Sequence, residues 1–406
     1  MTSSVDVRTP PQDHAPLHAA RPRRRGALRR VVTAFLAVAL VVSAIVVLTI
    51  DGWDQGGLPT VTQAAPTTPL ALARYDAAAF LTRYLDPNGR VVRRDQGGDT
   101  VSEGQAYAML LAVAIDSPAQ FKAAWSWEQA NLQLPDGLFS YHWADGTVVG
   151  SQPATDADLD SAWALELAAQ RFHDPAYRAD GSAVAAAILA HETVTVNGQI
   201  ELAAGPWATT TPPYVINPSY DAPEALGALA SATGDPVFSQ LAQNAQALEA
   251  SLIGSSPVRL PSDWATIDIT GAVRASGAPS TSGSPQYGLD AQRLPVWDAA
   301  SCSGPTRMLA ASLWPDLHTM KADGARLEYS TTGGVESNLE NPLGLVAAAA
   351  AADASGAKQE AATLLDRADS QSNRYHTYYG DAWVALGRVL LDTNLLSPCA
   401  PSPATH

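Results

Sequence analysis

From about residue 69 to 395, apolar residues return at i, i+3 and i+4 in one segment after another, with long polar stretches between them. That period belongs to helices with one buried face. It is clearest at 69–85, 102–115, 156–172, 221–232, 236–252, 342–353 and 376–393. Ala is abundant in these segments, which favours helix and lets helices approach closely. The run Ala347–Ala352 reads as buried helix, not as a low-complexity tract with a function. Only 194–202 suggests short strands. With no repeated strand pattern and no break in composition, 69–395 is expected to be one all-α domain of helices in hairpin succession. Its long polar loops, 132–155, 192–220 and 253–300, are where function is expected to concentrate.

The first sixty-odd residues follow another logic. Residues 21–30 read RPRRRGALRR, and 31–50 are twenty residues without a charge, VVTAFLAVALVVSAIVVLTI. At about 1.5 Å per residue such a helix spans about 30 Å, the hydrocarbon thickness of a bilayer. The basic flank stays on the cytoplasmic side, so the chain after Asp51 is expected outside. The run exceeds the usual length of a cleaved signal, and no small-x-small site follows it directly. The reading is therefore a basic cytoplasmic segment over 1–30, a single-pass anchor over 31–50 and a Gly/Pro/Thr linker over 51–68. Cleavage near Gln63-Ala64-Ala65, giving a secreted protein, is the alternative.

Charge narrows the partners. Residues 1–50 carry seven Arg and two Asp, which leaves 18 basic and 38 acidic residues for the body, a net of −20. Such a body repels phosphate backbones, so no nucleic-acid partner is expected. A neutral polymer meets no such penalty. Of the ten Trp, seven lie near polar or acidic residues: Trp125, Trp127, Trp143, Trp163, Trp207, Trp264 and Trp297. Most are expected in the core and a few as platforms for the apolar faces of sugar rings. Cys302 and Cys399 are the two cysteines. In an exported chain they either pair or remain free thiols, and no spacing suggests zinc. His142, His173, His191, His318 and His376 show no ligand spacing, so neither a metal nor another cofactor is expected.

Three acidic segments sit at loop ends or helix starts. In Ser102-Glu103-Gly104-Gln105, Ser102 resembles an N-cap and places Glu103 in the first turn of an apolar helix, where it also suits the helix dipole. In Ala154-Thr155-Asp156-Ala157-Asp158-Leu159-Asp160, three carboxylates alternate. On a helix Asp156 and Asp160 share a face and Asp158 points elsewhere. A solvated helix start or a calcium loop would serve equally, though the Gly and distal Glu of an EF-hand loop are lacking. In Gly288-Leu289-Asp290-Ala291-Gln292-Arg293, an Arg three residues on can hold the Asp ionised, or the two form a surface ion pair.

Together these segments resemble glycoside hydrolase family 8, whose members include bacterial cellulases, xylanases, lichenases and chitosanases. Ala154–Phe172 follows the family signature through Ala162, Ala164, Leu165, Ala168 and Phe172, and departs from it at Ser161 and Glu166. Ser102–Gln105, Asn217-Pro218-Ser219-Tyr220, Asp290-Ala291-x-Arg293 and Tyr378-Tyr379 follow in the family's order, over about 70–395.

The resemblance implies an (α/α)6 barrel over 69–396, followed by a tail at 397–406, with a substrate groove across one end. It implies an inverting endo-1,4-β-glucanase, with exopolysaccharide turnover or synthesis as one setting. A β-1,4-xylanase, lichenase or chitosanase of the same family is the alternative, and an inactive glucan-binding protein the rival from another class. By resemblance Glu103 is the general acid. Asp156 holds the sugar at the cleavage subsite and raises the pKa of Glu103. Asp290 is the general base, kept charged by Arg293. Trp143 is a stacking platform, and Tyr220, Tyr378 and Asp158 are further substrate contacts. The family commonly has Tyr where Leu289 stands, and Tyr287 is the residue expected to compensate. The catalytic domain is expected to be monomeric.

Overall fold

The computed structural model describes residues 66–399, apart from 280 and 321–325. The expected membrane segment at 31–50, its basic flank and nearly all of the linker lie outside the described residues. Among those described, no helix is long and apolar enough to cross a membrane.

Twelve α-helices follow one another in the described chain: α1 Pro69–Tyr84, α2 Ser102–Ala114, α3 Pro118–Asn131, α4 Thr155–Arg171, α5 Pro175–His191, α6 Pro223–Thr233, α7 Pro236–Ser255, α8 Leu294–Ala300, α9 Gly304–Met320, α10 Pro342–Ala354, α11 Lys358–Ser372 and α12 Tyr378–Asp392. Pro opens α1, α3, α5, α6, α7 and α10, where its missing N–H costs nothing. Thr68, Asp174, Asp235 and Asn341 accept a free N–H at four of these starts.

Burial alternates along the chain. The helices α2, α8, α10 and α12 are buried over nearly their whole length, whereas α1, α3, α5, α7, α9 and α11 bury one stripe each. A helix apolar all round must be surrounded, whereas α6 buries only Ala225, Leu226 and Leu229 and is placed in the inner ring by its contacts. The contacts agree. The even-numbered helices touch in the order α2, α4, α6, α8, α10, α12 and back to α2, and each odd-numbered helix packs against its neighbours from outside. Two concentric rings of six helices result, the (α/α)6 barrel that the resemblance implies. Ala347–Ala352, at most 2% exposed, let α10 sit close to α8, α9, α11 and α12. Beneath one end of the ring an aromatic plug fills the axis. Tyr107 meets Trp383, Trp383 meets Trp297 and Trp297 meets Trp163, all edge-on at 5.2–6.1 Å.

The chain is mainly helical as expected, with short strands beyond the pair near 194–202. Among the described residues ten short strands form four small sheets in the loops: β1 Thr100–Val101 with β2 His142–Ala144 and β3 Thr147–Gly150; β4 Thr193–Val196 with β5 Gln199–Leu202; β6 Tyr214–Ile216 with β7 Trp264–Ile267 and β8 Val273–Ser276; and β9 Gln286–Tyr287 with β10 Tyr329–Ser330. Strands of two to four residues are too short to show an alternation. The expected pair near 194–202 is β4–β5, paired antiparallel. The polar stretch 253–300 is not all loop, because it ends in the inner helix α8. Ser102 is not the N-cap of α2 but its first residue. Val101 takes the cap position, and Ser102 is buried with its N–H on the Tyr141 carbonyl.

Cys302 and Cys399 are joined. The Cys302 N–H and the Ser397 hydroxyl both donate to the Glu224 carboxylate at 2.7 Å, so the end of the described chain is fastened to the first turn of α6.

Candidate active site

The inner helices begin at a common end, and the acidic segments stand at those beginnings. Glu103 is the second residue of α2 and Asp156 the second of α4. Pro218–Tyr220 form a 3-10 turn just ahead of α6, and Ala291–Arg293 form another that runs into α8. Tyr378 and Tyr379 open α12. The positive ends of several helix dipoles therefore face one small volume, which suits carboxylates.

Arg293 is the centre of that volume, with a side chain only 2% exposed. Its Nη1 donates to Glu103 Oε1 at 2.7 Å and to Asp156 Oδ2 at 2.9 Å. Its Nη2 donates to Asp290 Oδ1 at 3.1 Å and to Ser219 Oγ at 2.6 Å, and its Nε also reaches Ser219 Oγ, at 3.1 Å. The guanidinium lies 5.4 Å from the centroid of the Tyr220 ring. Arg293 is thus not the private partner of Asp290 that the i, i+3 spacing predicts. It holds three carboxylates from three inner-helix starts.

Three carboxylates around one cation cannot all ionise cheaply in a buried place. The Glu103 carboxyl is pushed up to about 7, first by burial, with the charges of Asp156 and Asp290 adding and Arg293 opposing. The expected effect of Asp156 is there, but burial is the larger cause. Burial likewise raises Asp156, against the pull of Arg293. Glu103 also accepts from the Tyr107 hydroxyl at 2.7 Å, and its side chain keeps 21% exposure against 9% for Asp156 and 6% for Asp290. It is the carboxyl of the three most open to a ligand.

Asp290 has both oxygens engaged. Oδ1 faces Arg293, and Oδ2 accepts from Asn217 Nδ2 at 2.8 Å. Asn217 Oδ1 in turn accepts from Ser219 Oγ at 2.7 Å, which closes a ring of four side chains. Tyr107, Asn217 and Ser219 had no role assigned from the sequence. Tyr107 was findable, being four residues from Glu103 on one helix face. Asn217 and Ser219 belong to a recognised motif, but only the fold shows what they hold. Burial holds the Tyr379 hydroxyl well above its ordinary range, with nearby Arg293 opposing and Glu103 adding.

Other expected site residues lie elsewhere. Asp158 is fully buried and accepts from the Phe139 N–H at 2.8 Å, so it cannot touch a substrate. Two residues along a helix from Asp156, it points behind the site, toward Glu128 and Glu192, and burial holds its carboxyl well above the usual range. Tyr378 is 1% exposed, packed by Phe80 and Tyr84. It is a wall and not a platform. Its hydroxyl lies against Gly104, where an added Cβ would come within 2.6 Å, and this accounts for the Gly beside Glu103. Trp143 on β2 is half-buried, edge-on to Trp127 at 5.5 Å, with the Arg90 guanidinium over its ring at 4.7 Å. Of the seven highlighted Trp, Trp143 and Trp207 keep partial exposure and the other five are core. Tyr287 does not compensate for Leu289. It is 1% exposed, pairs with Tyr329 across β9–β10, and its hydroxyl bonds no one. The departures at Ser161 and Glu166 are packing matters, since Ser161 faces Glu128 and Glu166 faces Ser182 of α5.

The sequence profile described as "Glycosyl hydrolases family 8" matches residues 62–389. A "Probable endoglucanase" of Novacetimonas hansenii is 36% identical over 228 residues, 54% of this chain and 65% of that protein. An "Endoglucanase" of Cellulomonas uda is 30% identical over 244 residues, 58% of this chain and 66% of the other. The chain thus spans just under two thirds of the length of these relatives. The solved structure of endo-beta-1,4-glucanase CMCax from Acetobacter xylinum superposes with a TM-score of 0.65 at 27% identity, over 80% of this chain and 98% of that one. With the ring of twelve helices and the carboxylates at its inner-helix starts already described, the profile match settles the matter of kinship: the chain belongs to glycoside hydrolase family 8.

Proposed function

We propose that the chain is an inverting endo-1,4-β-glucanase. One observation carries this reading. Glu103 and Asp290 bond different nitrogens of the same guanidinium, and burial pushes the Glu103 carboxyl up to about 7, so the cluster offers an acid beside a second carboxylate. Inversion needs that division: a protonated acid on one side of the glycosidic bond, an ionised base on the other, and room for a water between. In the proposed reaction Glu103 gives its proton to the glycosidic oxygen as the bond from C1 to that oxygen breaks. A water attacks C1 from the opposite face and passes its proton to Asp290. Asp156 holds the sugar ring whose C1 reacts. Similarity to endoglucanases, one of them an endo-beta-1,4-glucanase, supports a β-1,4-glucan as substrate. The test is release of reducing sugar by residues 60–406 from carboxymethylcellulose, lichenan, xylan and chitosan. Carboxymethylcellulose is expected to be cut fastest. A clear preference for xylan would transfer the chain to the xylanase reading, and no release from any polymer would favour a binding protein.

The place of action is part of the proposal. The uncharged run at 31–50 after RPRRRGALRR supports an anchor with the catalytic body outside. After cell fractionation the full-length chain is expected in the membrane fraction, open to external protease. Recovery only as a soluble chain beginning after residue 60 would refute the anchor in favour of a cleaved signal.

A further inference from the structure

Asp263 lies just before β7, 5% exposed, and is bonded to nothing in the cluster around Arg293. Its N–H donates to the Gln286 carbonyl at 2.8 Å. Its carboxylate collects donors from one short stretch of chain. Oδ1 accepts from the Gly288 N–H and from the Ala291 N–H, each at 2.8 Å, and Oδ2 from the Gln286 amide at 3.2 Å. All three donors flank Asp290. No cation among the described residues bonds this carboxylate, so it is not half of an ion pair. Burial, with the charge of Asp290 adding, pushes it up to about 7.

A buried carboxyl without a cation is costly, and its bonds indicate what it accomplishes. The first N–H groups of a helical turn have no partner within the turn. Ala291 opens the 3-10 turn that continues into α8, and Asp263 supplies its acceptor from another part of the chain, a cap given in trans. The turn is closed on its own side by Arg293 N–H to the Asp290 carbonyl and Gln292 N–H to the Gly288 carbonyl, both at 3.0 Å. Gly288 completes the fit. A Cβ there would stand 2.4 Å from Asp263 Oδ2. Arg293 and Asn217 fix the Asp290 side chain, while Asp263 fixes the peptide segment that carries it.

We infer that Asp263 is a positioning residue for the general base, holding the backbone of 288–291 so that the Asp290 carboxylate meets the attacking water at a fixed place and angle. The inference rests on the reading of Asp290 as that base. Both protonation states of Asp263 keep an oxygen for the two backbone N–H groups, so the support persists across pH 7. A base displaced by about 1 Å loses on the order of 10²-fold in rate.

The test compares Asp263→Ala, Asp263→Asn and Gly288→Ala with Asp290→Asn, measuring kcat and KM on a soluble cello-oligosaccharide and thermal unfolding of each. Asp263→Ala is expected to lower kcat on the order of 10²-fold with KM little changed. Asp263→Asn keeps an Oδ1 for both N–H groups and is expected to restore most of kcat. Gly288→Ala displaces the carboxylate without removing it and is expected to mimic Asp263→Ala. It carries the test if Asp263→Ala does not fold. Wild-type kcat in both disrupting variants, a loss confined to KM, or an Asp263→Asn as poor as Asp263→Ala would overturn the positioning role. If Asp290→Asn stays active, the base assignment falls and takes the positioning role with it. An inactive Asp290→Asn beside an unaffected Asp263→Ala and Gly288→Ala removes the positioning role alone.

Discussion

Glu103→Gln is expected to fold as the wild type does and to lose about 10²–10⁴-fold in kcat, the usual contribution of a positioned acid. Gln is nearly the same shape, and its oxygen can still accept from Tyr107 and Arg293, which reach Glu103 at 2.7 Å each. What it lacks is a proton to give. Substrates with good leaving groups need that proton less and are expected to lose less. The pH profile gives a second reading. The acid works while protonated, so with its carboxyl pushed up to about 7 the wild-type activity falls as pH rises through about 7. In Glu103→Gln that alkaline limb should vanish. A variant that keeps a tenth of the wild-type rate on cellulose, or the same alkaline limb, would mean that the acid is another group.

Arg293→Met is expected to be the most damaging single change to the site. The guanidinium is the common partner of Glu103, Asp156 and Asp290, of which Asp156 and Asp290 are nearly shut off from water. Taking one member from a buried ion pair costs about 3–5 kcal/mol, because the charge left behind has neither water nor partner. Carboxyls so stranded respond by binding protons. The proposed acid and base lose their common partner, and the rate is expected to fall on the order of 10²-fold or more. Arg293→Lys separates charge from shape. An ammonium restores the charge but cannot meet three carboxylates and Ser219 in one plane. It is expected to recover stability more than activity. Full activity in Arg293→Lys would show that charge alone suffices.

The fold was legible where its signal was local. The outer helices carry the 3.6-residue period of a one-faced helix, whereas inner helices such as α2 and α10 read as nearly unbroken apolar runs. The small sheets were not legible by alternation, yet two left another trace. Asp145-Gly146 and Asn197-Gly198 join β2–β3 and β4–β5 with positive φ at both residues, the tight hairpin turn such pairs favour. Site residues followed the same division. Helix geometry alone places Asp156 and Asp160 on one face and turns Asp158 away, so the expectation that Asp158 binds substrate came from the family motif against the local geometry. The hub could not be read locally, because Glu103 and Asp156 lie 190 and 137 residues from Arg293. Those pairings exist only once the ring closes. The Trp residues misled for a related reason. Polar sequence neighbours of Trp163 and Trp297 say little about a side chain that points to the barrel axis.

Inversion at the anomeric carbon is the expected result if Asp290 acts through water as proposed. A carboxylate that attacked C1 itself would form a covalent sugar ester, sit about 5–5.5 Å from the acid and give net retention. Proton NMR of cellopentaose cleavage, recorded before mutarotation mixes the anomers, separates the two routes. The first new reducing end is expected to be the α anomer. An initial β anomer would contradict the roles given to both Glu103 and Asp290.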